Sequence, residues 1–270
     1  MWNRQEVKKE GKKHFRKNYW PCVIVCFLLA FLGCEYTSSA NIIHGYDNDF
    51  TVPENVIHST AHLTNTEILG TEDSILTTAL DGIDGIISSI IALIGSIQDV
   101  ILDNYTNAFI LGLIFMIEMV YIFAICNPLI VGSRNFYIKN HENSTAKLSE
   151  LVKPFKNKNI LNIIKIMFLQ TLYLFFWLFT IIGFFVKIYE YRMISYILAE
   201  NPNIKAKEAF SKTKQMMKGY KWELFKFDLS YLGWQILNII TLGFSGILYS
   251  NPYKSAATTE IYLKLKESTN

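Results

Sequence analysis

The apolar positions of this chain are gathered into long blocks and are not spread at amphipathic spacing. The first runs from Pro21 to Cys34 and is preceded by Tyr19 and Trp20; the second runs from Ala108 to Val131. Two further blocks, 160–199 and 224–264, are each about twice the ~20 residues that one helical crossing of a bilayer requires. Each is therefore read as two crossings joined by a tight outer turn. The turns are placed near Gly183 and at Gly243 and Gly246, because glycine tolerates the backbone angles of such a turn. Between these blocks the periodicity changes. Ala206, Ala209, Phe210, Thr213, Met216 and Met217 fall on one face of a helix over 203–218, with Asn203 to cap its start and Gly219 its end. Isoleucines at 83, 86, 87, 90, 94, 97 and 101 also form a helical stripe. Asp84, Asp99 and several serines make that segment a poor span, and it is read as an external amphipathic helix.

Charge placement orients the blocks. No Lys or Arg occurs between Asn18 and Ser133, whereas 11 Asp and Glu lie between Glu35 and Asp103. Cytoplasmic loops carry the excess of Lys and Arg, so the acidic stretch belongs outside. Seven Lys or Arg precede Asn18, six more lie between Arg134 and Lys158, and another six between Lys205 and Lys221. The expected architecture is thus all-α: a polytopic transmembrane bundle of about six spans in three hairpins, with both termini in the cytoplasm. Its segments are a basic interfacial helix (1–18), span 1 (19–34), an acidic extracytoplasmic insertion (35–104), span 2 (105–132), a basic cytoplasmic loop (133–159), spans 3 and 4 (160–199), a cytoplasmic amphipathic helix (200–222), spans 5 and 6 (223–264) and a tail (265–270). Trp2, Val7 and Phe15 of the first helix are expected against the bilayer, with the lysines in water. The competing reading of the N-terminus is a cleaved signal peptide, with Phe31-Leu-Gly-Cys34 as a poor lipoprotein box.

Composition agrees with a membrane protein: 51% hydrophobic, 14% aromatic and a mean hydropathy of +0.21. A net charge of only +3 gives no electrostatic case for nucleic acid. Cys22, Cys26, Cys34 and Cys126 have neither zinc-finger spacing nor the look of a disulfide framework, and are read as small apolar side chains. Gly183-Phe-Phe-Val-Lys-Ile-Tyr189 echoes Gly243-Phe-Ser-Gly-Ile-Leu-Tyr249 at four positions, which is either a duplicated hairpin or chance.

Four stretches carry a family resemblance. They are Pro128-Leu-Ile-Val-Gly132 with Arg134-Asn-Phe136; Lys187 through Tyr196-Ile-Leu198 to Asn201-Pro202; Met216-Met-Lys-Gly219; and Leu229-Ser-Tyr-Leu-Gly-Trp234 on to Thr241-Leu-Gly243 and Pro252-Tyr253. Together they make the chain, outside roughly 35–104, resemble a bacterial family of integral membrane proteins catalogued as domain of unknown function 975. Members usually have Pro-Gly where this chain has Ile182-Gly183. The family is similar in layout to the membrane domain fused to some glycerophosphodiester phosphodiesterases. The resemblance implies a fold and a location in a bacterial plasma membrane, and no activity.

The strongest candidate site is the charge set Lys187, Glu190 and Arg192 in the fourth span, with Glu118 of the second span as a partner for Arg192. An arginine at mid-bilayer costs about 2.5–3.5 kcal/mol on insertion scales unless it is paired or wetted. The set reads either as a pocket for an anionic substrate or lipid headgroup, or as an internal salt-bridge cluster. His58 and His62 have helical chelating spacing, but a solvated acidic loop explains them equally well. Asn127-Pro128 and Asn251-Pro252 are expected to kink spans two and six. There is no Gly-x-Ser-x-Gly, no phosphate loop and no His-Glu-x-x-His. The expectation is a non-enzymatic membrane protein without cofactor that binds lipids or a protein partner and touches anionic lipid through its basic helices. The alternatives are a small transporter or channel, and a lipid-modifying enzyme.

Overall fold

The computed structural model describes residues 2–36, 105–143 and 146–269, and all of their regular structure is helical. The acidic insertion from 37 to 104, with its isoleucine stripe and with His58 and His62, lies outside the described residues. The chain divides into two compact units, 46–119 and the remainder. Of the former, the described part is the start of helix α3 (Tyr105–Tyr121), whose side chains from Phe109 to Met119 are largely exposed and apolar.

The larger unit begins with α1 (Arg4–Lys17) and α2 (Tyr19–Phe31). The Asn3 side chain accepts from the Gln5 amide at 2.9 Å, an N-cap that starts α1. The four-residue spacing of Val7, Gly11 and Phe15 then puts all three on one buried face. That face does not meet lipid, contrary to expectation: it packs on the last helix, α12 (Asn251–Glu267), and a Cβ at Gly11 would sit 2.6 Å from the Ala257 Cα. The missing side chain is what allows the two helices to approach. Trp2 is likewise turned inward, edge-on to Phe227.

Among the described residues, two helices are long and apolar enough to cross a membrane: Phe109–Glu142 and Ile160–Leu178. The first consists of α3, a π-helical turn (Ile122–Cys126) and α4 (Asn127–Asn143). The expected cytoplasmic loop therefore starts late. Residues 133–143 continue the helix and bury Ser133, Asn135, Phe136, Tyr137, Ile138 and Asn140. At Gly132 the helix meets the backbone of Leu151 so closely that a Cβ would fall 1.9 Å from its carbonyl oxygen. A single 3₁₀ turn (Leu148–Glu150) and α5 (Lys153–Lys156) lead to α6 (Ile160–Leu178).

The return pass is broken. α7 (Ile181–Tyr191) ends at Arg192 and α8 (Ile194–Glu200) follows. The turn between α6 and α7 lies at Phe179–Thr180, earlier than expected. Gly183 sits inside α7, where a Cβ would press into the Trp177 ring at 2.4 Å, so its role is close approach and not the turn. α9 (Ala206–Met216) buries Ala209, Thr213 and Met216. Its N-cap position is Lys205 instead of Asn203, and Gly219 follows its end at φ +82°. The next pass is broken too, into α10 (Lys221–Leu229) and α11 (Leu232–Ile240). Lys8 donates to the Ser230 carbonyl at this break (3.3 Å), and Arg4 donates to that of Lys226 (3.3 Å), which also accepts from the Ser230 amide. A turn is present at Gly243, with Leu242 and Gly243 both at positive φ.

A second π-helical turn (Gly246–Ser250) precedes α12. In both places the wide turn runs directly into Asn-Pro, and the Asn amide donates five residues back, Asn127 to Ile122 and Asn251 to Gly246. Proline clashes with the carbonyl four residues earlier; widening the preceding turn moves that carbonyl aside without ending the helix. The pairing of Asn127-Pro128 with Asn251-Pro252 is the internal similarity the structure displays. Gly183 and Gly243, by contrast, occupy unlike positions, one within a helix and one in a turn. α12 buries twelve residues against α1, α2 and α4 and does not have the exposed apolar surface of α6.

Candidate functional site

The two breaks meet. Arg192, at the end of α7, forms a two-pronged ion pair with Asp228 in the last turn of α10, its second nitrogen at 3.2 Å, and Lys254 of α12 reaches the same carboxylate at 3.0 Å. Glu118, the partner expected from sequence, is an exposed residue of α3 in the other unit. Arg192 meets Asp228 because α7 and α10 pack together and both are interrupted at this level.

Arg192 and Lys254 open onto a cavity of about 440 Å³, whose polar lining adds Glu35, Tyr36, Arg134, Gln170, Ser195, Tyr196, Ser255 and Thr258. Arg134, from α4, pairs with Glu35 and lies over the Tyr196 ring at 5.4 Å. Glu35 reaches this depth because the chain turns back after α2 through Gly33 and Tyr36, both at positive φ. The Tyr36 hydroxyl is fixed by a 2.5 Å hydrogen bond with Ser255. Ile130, Met167, Leu174 and Ile188 make the rest of the wall apolar.

Four polar atoms of the lining are buried without a hydrogen-bond partner among the described residues: Arg134 Nε, Glu35 Oε2, Gln170 Oε1 and the Tyr196 hydroxyl. Leaving such groups unmet costs about 1–3 kcal/mol each. Three cations, Arg134, Arg192 and Lys254, stand here against two carboxylates, Glu35 and Asp228. Among the described residues one positive charge is left over.

Lys187 and Glu190 do not line the cavity. Glu190 is buried and held by Lys187 at 2.6 Å and by Lys221 of α10, while its backbone carbonyl accepts from Thr213 at 2.8 Å. This half of the expected set is a clasp between α7, α9 and α10. The rule that singles out Arg192, a charge in an apolar stretch, reaches neither Asp228, two residues from Lys226, nor Lys254, in the polar run from Ser250 to Glu260. Arg134 and Glu35 carry no such mark, because each sits at the edge of its block.

The comparisons with known proteins bear on the part of the chain that supplies Arg192, Asp228 and Lys254. Residues 178–269 match the family described as Protein of unknown function (DUF975). No curated protein and no solved structure matches the chain. The DUF975 match begins at the end of α6 and contains both broken passes and α12. The resemblance read across 128–136 lies outside it, and so do Arg134 and Glu35. The DUF975 region thus contributes two cations and one carboxylate of the site, and the preceding helices contribute the rest.

Proposed function

We propose that this is a non-enzymatic integral membrane protein that binds the headgroup of an anionic phospholipid in the cavity between its broken helices. The observation that carries the reading is the excess of one cation among the described residues, beside buried donors and acceptors that have no partner among them. A phosphodiester matches it: a single negative charge, oxygens that accept from guanidinium, and hydroxyls to meet Glu35 and Gln170. The surrounding surface supports a lipid setting, since Phe179, Ile182, Ile240 and Phe244 are all more than 60% exposed. In this reading the chain makes six crossings of a bacterial plasma membrane with both ends in the cytoplasm, and α7–α8 and α10–α11 cross as interrupted helices. Interrupted backbone is tolerated at membrane depth where protein or a polar cavity meets the freed groups.

The test is lipid retention. Protein purified in detergent, then placed in nanodiscs of phosphatidylcholine containing a minor share of phosphatidylglycerol, is expected to keep phosphatidylglycerol through delipidation, as read by native mass spectrometry. Equal retention of both lipids would remove the proposal. Displacement by free glycerol phosphate would assign the cavity to a soluble anion.

The meeting of two helix breaks at an ion pair also favours a second reading, a small transporter that moves an anion through this site. Single cysteines at Thr180, Ser245 and Ser195, in a background with the four native cysteines replaced, separate the readings. Six spans predict labelling of the first two from outside only. Labelling of Ser195→Cys from both sides would favour transport, and labelling of Thr180→Cys from the cytoplasm would overturn the topology.

A further inference from the structure

Away from the cavity, three helices bring together two imidazoles and a carboxylate. His14 comes from the last turn of α1, His141 from the last turn of α4 and Glu260 from the middle of α12. One donor atom from each lies within 4.8 Å of the other two. His141 Nδ1 is 2.6 Å from Glu260 Oε1, His14 Nε2 is 3.9 Å from the same oxygen, and the two rings face each other at 4.5 Å. Glu260 is 5% exposed and His14 16%, whereas His141 is 35% exposed, so the cluster is walled on one side and reachable on the other. Burial holds the His14 imidazole below the usual histidine range, and the hydrogen bond to Glu260 raises His141.

We infer that His14, His141 and Glu260 form a binding site for a divalent transition-metal ion, best suited to zinc. Three observations support this beyond the composition of the cluster. Two imidazoles and one carboxylate are a ligand set that zinc takes, with a fourth position for water, and the exposed side at His141 leaves room for that water. Zinc bonds of about 2.0–2.1 Å in tetrahedral array put donors about 3.4 Å apart, a value between the two separations seen here. Reaching that spacing requires His141 to draw back from Glu260 and His14 to draw nearer to it, each by under ~1 Å, within the freedom of side chains at helix ends. The third is the backbone around them. Asn140 donates to the His14 carbonyl at 3.2 Å and pairs with Asn18 at 2.8 Å, so the ends of α1 and α4 are tied together independently of the three ligands. The two histidines are held at a fixed separation before any ion arrives, which reduces the ordering cost of binding.

The consequence lies at the N-terminus. α1 carries seven Lys and Arg and is held to α12 on one face. An ion at this site would add a bond between α1 and both α4 and α12. Without it, Glu260 balances one protonated histidine at most, in a neighbourhood that also contains Lys13 and Glu10.

The experiment uses the full chain, purified in detergent without a polyhistidine tag and stripped with a chelator. Zinc titrated by calorimetry is expected to bind at one ion per chain. Cobalt(II) in its place is expected to show the intense visible absorption of a four-coordinate centre. His14→Gln, His141→Gln and Glu260→Gln should each weaken zinc binding by at least about tenfold. His14→Gln is the most informative, because its side chain can leave the cluster without burying a charge. Its far-ultraviolet circular dichroism and its melting without metal should match the parent. Failure of the parent to take up zinc at micromolar concentration overturns the inference, as does equal binding by all three variants.

Discussion

Asp228→Asn is expected to lower stability by about 3 kcal/mol, the lower end of the range for removing one partner of a buried ion pair. Asp228 is the common counter-ion of Arg192 and Lys254, and all three side chains are between 20% and 27% exposed. The amide keeps the shape but not the charge, so two cations are left in a poorly solvated cavity. Unfolding by denaturant titration in detergent micelles, followed by tryptophan fluorescence, measures the change. The accompanying variant separates charge from shape. Asp228→Asn combined with Arg192→Met removes one of the stranded cations and is expected to recover about half of the loss. If the double variant is as unstable as the single one, Asp228 acts through packing and not as the counter-ion of a cationic site.

The second large effect is on binding. Arg134→Gln should weaken retention of phosphatidylglycerol by roughly 10- to 100-fold, the equivalent of one charge-assisted hydrogen bond of about 1.5–3 kcal/mol. Arg134 provides the buried Nε that has no partner among the described residues, and its loss cancels the excess positive charge of the cavity. Arg134→Lys keeps the charge and loses the planar fork, so its affinity should fall between those of the parent and Arg134→Gln. Undiminished retention by Arg134→Gln would sink the headgroup proposal, provided that the variant unfolds at the same denaturant concentration as the parent.

These two residues show the limit of what could be read from the chain alone. Asp228 lies near the start of its apolar block, two residues from Lys226, and its sequence setting does not single it out. Helical spacing links Lys187 to Glu190 because the two are three residues apart, and the structure retains that link at 2.6 Å. Arg192 and Asp228, by contrast, are separated by 36 positions and by α8 and α9, and no periodicity spans that interval. Glu118 was an equally reasonable partner on depth alone. Gly183 makes the same point in miniature. Glycine marks both turns and close contacts, and only the position of the Trp177 ring shows which of the two applies here.

By itself the sequence determined the all-helical class, the long apolar blocks and the presence of costly charges within them. Those properties follow from local composition and from the free energy of each segment taken singly. Tertiary structure alone decided that Val7 and Phe15 face α12 instead of lipid, that the two Asn-Pro helices pass through π turns, and that Glu35, Arg134, Arg192, Asp228 and Lys254 share one place. The physical reason is that an apolar helix face is buried equally well by lipid or by another helix, and a buried charge is satisfied by any opposite charge within reach. Which neighbour meets the need depends on how the helices are packed, a property of the whole chain and not of any segment.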